Sequence, residues 1–264
     1  MPREDQPAAA IELERVVKDF GSERALDHVD LEVPGGEITV LIGPSGAGKT
    51  VTIKHILGLL NPTAGVVRVE SQDLAELSES DLYELRRRMA VVMQGTLPFS
   101  CGLFYSLNVH ENVAFPLRER TRLSEERIHK LTMDHLEMVG LRDHAYDMPD
   151  VLSAGMSKRV AIARALALDS RILIIDDFDS GLDGVRLALL CEILREAQLR
   201  SGATFLVTTH DMDAARELAD YAAVIHEGRI VASGGADAVL ESQEPFLRQL
   251  VTGAPTGPLQ LRNV

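Results

Sequence analysis

The stretch GPSGAGKT, residues 43–50, sets glycines ahead of a lysine and a hydroxyl residue. It fits G-x-x-x-x-G-K-[ST]. It follows the apolar run EITVLIG and opens a stretch from Lys49 to Leu60 with helical period, the strand–loop–helix setting this motif requires. The chemistry is phosphate binding. Gly43, Pro44, Ser45, Gly46, Ala47 and Gly48 form a loop whose backbone N–H groups can wrap phosphate oxygens. Lys49 would neutralise the β- and γ-phosphates, the Thr50 hydroxyl would ligate Mg²⁺, and Val51, next in the first helical turn, completes the expected ATP-binding set. A purely structural Gly-rich turn would need the flanking strand and helix to coincide with it by accident.

A loop of this kind needs an acid on a neighbouring strand to hold Mg²⁺. ILIIDDFDSGLD, residues 172–183, supplies one: four apolar residues run into Asp176 and Asp177. Such a run reads as a buried parallel strand, and ligands of open α/β sheets bind at the carboxyl ends of strands. Asp176 is the expected Mg²⁺ residue, with a simple strand-end cap as the alternative.

The elements that must position these residues follow from periodicity. IELERVVKDF and ALDHVDLEV alternate like an antiparallel pair, with a turn at PGG, residues 34–36. A short helix is expected at DLYELRRRM. Another spans LSEERIHKLTMDHLEMVGL, with Ser124 as N-cap and a stop near Gly140. A further helix is expected to start near Ser157. It precedes a strand at 171–176, a helix at 185–200, a strand ATFLVTT, a helix at 212–219 and a hairpin AAVIHEGRIVAS. Strands alternating with helices indicate an α/β fold with a mostly parallel sheet. Residues 1–10 read as disordered, residues 100–158 as a helical insertion, and residues 253–264 as a Gly- and Pro-containing tail. There are no repeats.

The net charge of −13 argues against non-specific binding to nucleic acid or anionic lipid, both of which attract basic surfaces. Two cysteines, Cys101 and Cys191, lie far apart in no metal-type spacing, which fits a reduced cytosolic protein. Neither a signal-type leader nor a run near ~18 apolar residues is visible.

Between the two motifs lies LSAGMSKRVAIARALAL, residues 152–168. It resembles the LSGGQ signature of ABC transporter ATPases, and the resemblance extends over about residues 11–250. It implies a single P-loop NTPase (ABC ATPase) domain over 11–252, with a small antiparallel β-subdomain and a helical subdomain. It also implies roles. Ser153, Ala154, Gly155 and Met156 form the signature that faces a second copy's ATP. Phe20 stacks on adenine. Gln94 is the Q-loop glutamine near the metal and the attacking water, Asp177 polarises that water, Asp183 belongs to the D-loop, and His210 is the switch histidine. Within the family, DLYELRRRM…VVMQ, ENVAFPLRE and DSGLDGVR resemble the ATPases of Mce/Mla-type lipid transport. That branch implies an integral-membrane permease of the MlaE/YrbE type and Mce-domain proteins as partners. It further implies a second ATPase subunit, a peripheral place at the cytoplasmic face of the membrane, and an ATP-driven head-to-tail dimer.

Four residues at three places depart from the usual motifs. Ala154 stands for a glycine, Asp177-Phe178 for Glu-Pro, and Gly184 for a common proline. The shorter Asp177 suggests slow turnover, and keeps open a regulatory subunit that binds ATP but hydrolyses it weakly. A soluble, non-transport ABC ATPase would usually carry two such domains or a long coiled-coil insertion. The segment after Gln94 contains Phe99, Phe104 and Tyr105, which are either local core or a permease contact.

Overall fold

The computed structural model describes residues 8–93, 102–254 and 256–258. Strand β1 (Ala9–Phe20) pairs antiparallel with β2 (Glu23–Pro34), and β3 (Ile38–Ile42) opens the central sheet. Helix α1 (Lys49–Ile56) follows, then β4 (Ala64–Val69) and the two-residue β5 (Gln72–Asp73). Helix α2 (Glu79–Arg86) leads to β6 (Met89–Val92). Helices α3 (Val109–Arg120), α4 (Glu125–Met138) and α5 (Ala154–Leu166) form a helical lobe with two short 3₁₀ turns between α4 and α5. The chain returns through β7 (Ile172–Ile175), α6 (Gly184–Ser201), β8 (Thr204–Thr209), α7 (Met212–Leu218) and the hairpin β9 (Tyr221–His226)–β10 (Arg229–Gly235). It ends in α8 (Ala236–Leu240) and α9 (Pro245–Thr252).

The six-stranded sheet has the order β10-β9-β3-β8-β7-β6, parallel except for the antiparallel edge β10. The smaller sheet, β2-β1-β4-β5, is antiparallel. The strands of the large sheet read as unbroken apolar runs because both faces are covered. Leu173, Ile175, Phe205 and Val207 face a core shared with the helical lobe and α6. Ile172, Ile174, Leu206 and Ile225 face a second core shared with α1 and the small sheet. The period-2 alternation of side chains divides each strand between two layers.

Several elements differ from the expectations above. Ala9 and Ala10 belong to β1, not to a disordered start, because Ala9 pairs with Pro34 and Gly35 donates its N–H to Ala8 O at 3.0 Å. Helix α5 begins at Ala154, three residues before the expected start, because the Ser153 hydroxyl accepts from Met156 N at 3.2 Å and caps it. Strands β4, β5 and β6 are additional to those expected, and the two-residue β5 is too short for any alternation to show. Helix α4 agrees with its caps: Ser124 accepts from Arg127 N, and Gly140 takes a left-handed φ of 67°. Among the described residues no helix is long and apolar enough to cross a membrane.

Candidate functional site

The loop between β3 and α1 is built around its last glycine. Gly48 has φ of 112°, and a side chain there would lie 2.9 Å from Leu26 Cδ2 and 3.1 Å from Ala25 O, so only glycine fits. Gly48 caps α1, whose first residues are Lys49 and Thr50. Backbone N–H groups of this first turn lack helical partners and carry the positive end of the helix dipole. Pro44, Ser45 and Gly46 are exposed, whereas Gly43, Ala47, Gly48 and Lys49 are buried. The Lys49 ammonium donates to Gly43 O at 2.6 Å and Pro44 O at 3.0 Å, which holds it at the centre of the loop. Burial lowers its pKa from the ordinary lysine value, and the charges of Asp176, Asp177 and Asp179 oppose that fall.

The second half comes from the ends of β7 and β8. Thr50 Oγ1 donates to Asp176 Oδ2 at 2.8 Å, and Thr208 Oγ1 donates to Asp176 Oδ1 at 2.8 Å. Asp177 is buried and takes φ of 58°, a left-handed conformation that aspartate tolerates better than most residues. Phe178 is fully buried in the core beneath, and its N–H donates to Thr208 O at 2.8 Å. Proline would lack that donor and would restrict the residue before it. The Asp177-Phe178 pair is therefore one coherent local solution: an anchored loop with a left-handed acid. His210, just beyond β8, has Nε2 3.7 Å from Asp177 Oδ1, a close approach too long for a hydrogen bond.

A cleft of about 590 Å³ joins these parts, within the usual range for a small-molecule site. Its lining includes Phe20, Ser45, Lys49, Val51, Asp176 and His210. Phe20 is half-exposed at the mouth, with Lys18 Nζ 5.2 Å from its ring centroid. Ser153, Ala154, Gly155 and Met156 do not line this cleft; they sit at the start of α5 against the loop containing Gly181. Asp183 caps α6 by accepting from Arg186 N at 3.0 Å. Gln94 and Phe99 lie outside the described residues.

Sequence reasoning missed three residues here. Thr208 links Asp176 to the backbone of Asp177, whose N–H it accepts at 2.7 Å. Asp179 accepts from Thr209 Oγ1 at 2.5 Å and from His210 N at 3.0 Å, so it holds the histidine's backbone. Lys158 reaches from α5 to the same loop. The only sequence signal for Asp179 was a third acid in a five-residue window.

The donor set suits Mg²⁺. Thr50 Oγ1 and Asp176 Oδ2 are hard oxygens 2.8 Å apart, close to the edge of about 3 Å expected between adjacent ligands of an octahedral Mg²⁺. Thr50 and Asp176 would hold the ion, which would supply charge neutralisation to the phosphates.

The acid pair ends β7, which β8 separates from β3, so the acids stand two strands from the loop and not on its immediate neighbour as expected. A glycine-rich loop before a buried lysine, an acid pair at that strand end and a six-stranded parallel-type sheet define a P-loop nucleotide-binding protein. The particular family follows from comparison. The profile of the ABC transporter family matches residues 26–180. The "Probable ribonucleotide transport ATP-binding protein mkl" of Mycobacterium leprae is 39% identical over 250 residues, covering 95% of this chain and 71% of that protein. The "Intermembrane phospholipid transport system ATP-binding protein MlaF" of Escherichia coli is 36% identical over 259 residues, 98% of this chain and 94% of that one. A dimeric ATP-binding cassette bound to ADP and Pi superimposes with a TM-score of 0.77 at 30% identity, covering 86% of this chain and 98% of that chain. The chain belongs to the ABC transporter family and is an ATP-binding subunit with the fold of that family's ATPases.

Proposed function

We propose that this chain hydrolyses ATP to energise a membrane transporter for lipids, as one domain over residues 11–252 working in a pair. The observation that carries the reading is the convergence of Lys49, Thr50, Asp176, Asp177 and His210 on one cleft, with Ser153 outside it. Lys49 and the α1 N-terminus bind the β- and γ-phosphates, and Phe20 stacks on the base. Asp177 accepts the proton of the attacking water. His210 lies beside that acid and orients the γ-phosphate, and Gln94 completes the metal and water environment. Ser153 to Met156, with the N-terminus of α5, close the site of a second copy. ATP then joins the two copies, and loss of the γ-phosphate releases them.

The lipid assignment rests on the near full-length likeness to MlaF and on the DLYELRRRM, ENVAFPLRE and DSGLDGVR segments. Partners on this reading are an integral-membrane permease of the MlaE/YrbE type and Mce-domain proteins, which would hold the subunit at the cytoplasmic face. The permease contact on this reading is residues 95–108, of which 102–108 are described. A groove of about 450 Å³ there is lined by Leu57, Leu59, Met93, Phe104 and Phe115. Residues 95–101 lie outside the described residues.

The test is transfer by the reconstituted complex in proteoliposomes. ATP-dependent movement of a fluorescent phospholipid, absent in Lys49→Ala, is the expected result. Ribonucleotide uptake without lipid movement would sink the lipid assignment. A second reading, a regulatory subunit with weak turnover, is favoured by the short Asp177. It predicts ATP binding with hydrolysis no faster than that of Lys49→Ala.

A further inference from the structure

Lys158 lies on the buried side of α5, five residues after the cap Ser153, and is 4% exposed. Its ammonium donates to three oxygens of the loop that follows β7: Asp177 O, Ser180 O at 2.6 Å, and Ser180 Oγ. Three acceptors match the three protons of an ammonium. Burying a cation is costly unless such acceptors surround it, and an apolar side chain of similar volume would leave the Asp177 and Ser180 carbonyls without this donor. The choice of lysine therefore points to what it holds.

What it holds is a left-handed, non-glycine residue at the reaction centre. Asp177 has φ of 58°, and its two flanking peptide groups are both pinned. Thr208 Oγ1 accepts the Asp177 N–H at 2.7 Å, and Lys158 takes the Asp177 carbonyl. A left-handed non-glycine residue persists where its surroundings over-determine it. The two elements are also packed tightly together. A side-chain carbon added at Gly155 would lie 2.7 Å from Gly181 O, and one at Gly181 would lie 3.3 Å from the Ala154 methyl. The Ala154 methyl thus faces the chain's own loop across from Gly181, so the departure from glycine is accommodated within the chain.

We propose that Lys158 is a positioning residue for hydrolysis: it fixes the left-handed turn that aims the Asp177 carboxylate and locks that turn to the helix carrying Ser153. The inference rests on the reading of Asp177 as the base. It adds a consequence for the pair of copies. Ser153 meets the other copy's nucleotide, so α5 and Lys158 form a rigid path from that nucleotide to the acid of this copy's own site. Engagement at one site then sets the geometry at the other.

The experiment measures ATPase kinetics of the complex with its membrane partner for native, Lys158→Met, Lys158→Gln, Lys158→Arg and Asp177→Asn proteins. Fluorescent-nucleotide affinity is measured alongside. Loosening the Asp177 turn should lower kcat at least about tenfold in the Met and Gln variants, since displacements near 1 Å carry such losses. KM and nucleotide affinity should stay within about twofold, because the Asp177 and Ser180 oxygens to which Lys158 donates belong to the loop after β7. The Hill coefficient for ATP should fall towards one. Arg, which retains a cationic donor, should recover most of the lost kcat. Native kcat in either the Met or the Gln variant overturns the proposal, as does a parallel loss of nucleotide affinity. Failure of both variants to fold also overturns it, since Lys158 would then be structural. If Asp177→Asn is silent while Lys158→Met is native, only the Lys158 proposal falls. If Asp177→Asn hydrolyses at the native rate, the reading of Asp177 itself falls.

Discussion

Asp177 is one methylene shorter than the glutamate usual at its position, and its backbone is held by Thr208 and Lys158. Basicity is not the issue, because Asp and Glu differ by about 0.4 pKa units in model peptides. Reach is: a shortfall on the order of 1 Å can cost roughly a hundredfold in rate. A longer acid on the same left-handed backbone would carry a conformational cost of about 1–2 kcal/mol. That cost falls on folding more than on the chemical step, so reach decides. Asp177→Glu is expected to match or exceed the native turnover in the membrane complex, and Asp177→Asn to bind ATP with almost no hydrolysis. Slower turnover by Asp177→Glu would mean the site has been tuned around the shorter acid. Phe178 belongs to the same unit. Phe178→Pro removes the donor to Thr208 O and a fully buried ring. Losing a large core side chain costs about 3–5 kcal/mol when truncated to alanine. The variant should therefore show a much lower denaturation midpoint by circular dichroism; an unchanged midpoint would contradict the anchoring role.

At the scale of elements, the loop entering α3 is stapled to that helix by one buried side chain. Asn112 Oδ1 accepts from Phe104 N at 2.7 Å, and Asn112 Nδ2 donates to the carbonyls of Phe104, Leu107 and Asn108. The Phe104 ring meets Phe115 edge-on with centroids 5.2 Å apart, and the Arg164 guanidinium lies 5.9 Å from its centroid. Phe104 and Tyr105 nonetheless remain 45% exposed. Half-exposed aromatics on a rigid backbone are what a docking surface needs, since aromatic anchors dominate interfaces and preorganisation limits the entropy lost on binding. Replacing both by Ser should weaken co-purification with the permease and leave nucleotide affinity unchanged. Loss of folding would show that these rings serve the core instead.

At the scale of the whole molecule, the signature residues lie away from the cleft of their own chain, so a complete site on the proposed mechanism needs a second copy. With hydrolysis blocked by Asp177→Asn, ATP and Mg²⁺ should raise the mass measured by light scattering to that of a dimer within the permease complex or at high concentration. Ser153→Arg should prevent this, because it puts bulk and a fixed cation at the cap of α5. An oligomer indifferent to nucleotide would contradict the mechanism. The core offers a separate readout of global opening. Burial pushes the Cys191 thiol from 9.0 up to about 12. The folded state therefore keeps a proton that the unfolded chain gives up, so this contribution to stability is complete below pH 9 and declines as pH rises towards 12. Iodoacetamide at pH 8 should leave Cys191 unmodified in the folded protein, as read by peptide mass spectrometry. Prompt labelling would mean that α6 opens locally.

The sequence by itself determined which candidate groups stand next to one another. Gly48, Lys49, Thr50 and Asp176 announce themselves because a phosphate loop is one contiguous segment and an apolar run ending in acids is a pattern of neighbours. The alternation of strands and helices was legible for the same reason, as were the caps Ser124 and Gly140. Only the tertiary structure decided what surrounds Asp177. Thr208 reaches Asp176 and Asp177 because β7 and β8 pair with Ile175 opposite Val207, and that register spans more than thirty residues. Lys158 looked like one of several basic residues on a helix until α5 was packed against the loop after β7. The left-handed φ of Asp177 follows from hydrogen bonds across three separate elements, and no local pattern encodes those. Residue type and spacing fixed which groups could act on a phosphate, while long-range register and packing fixed where the acid points.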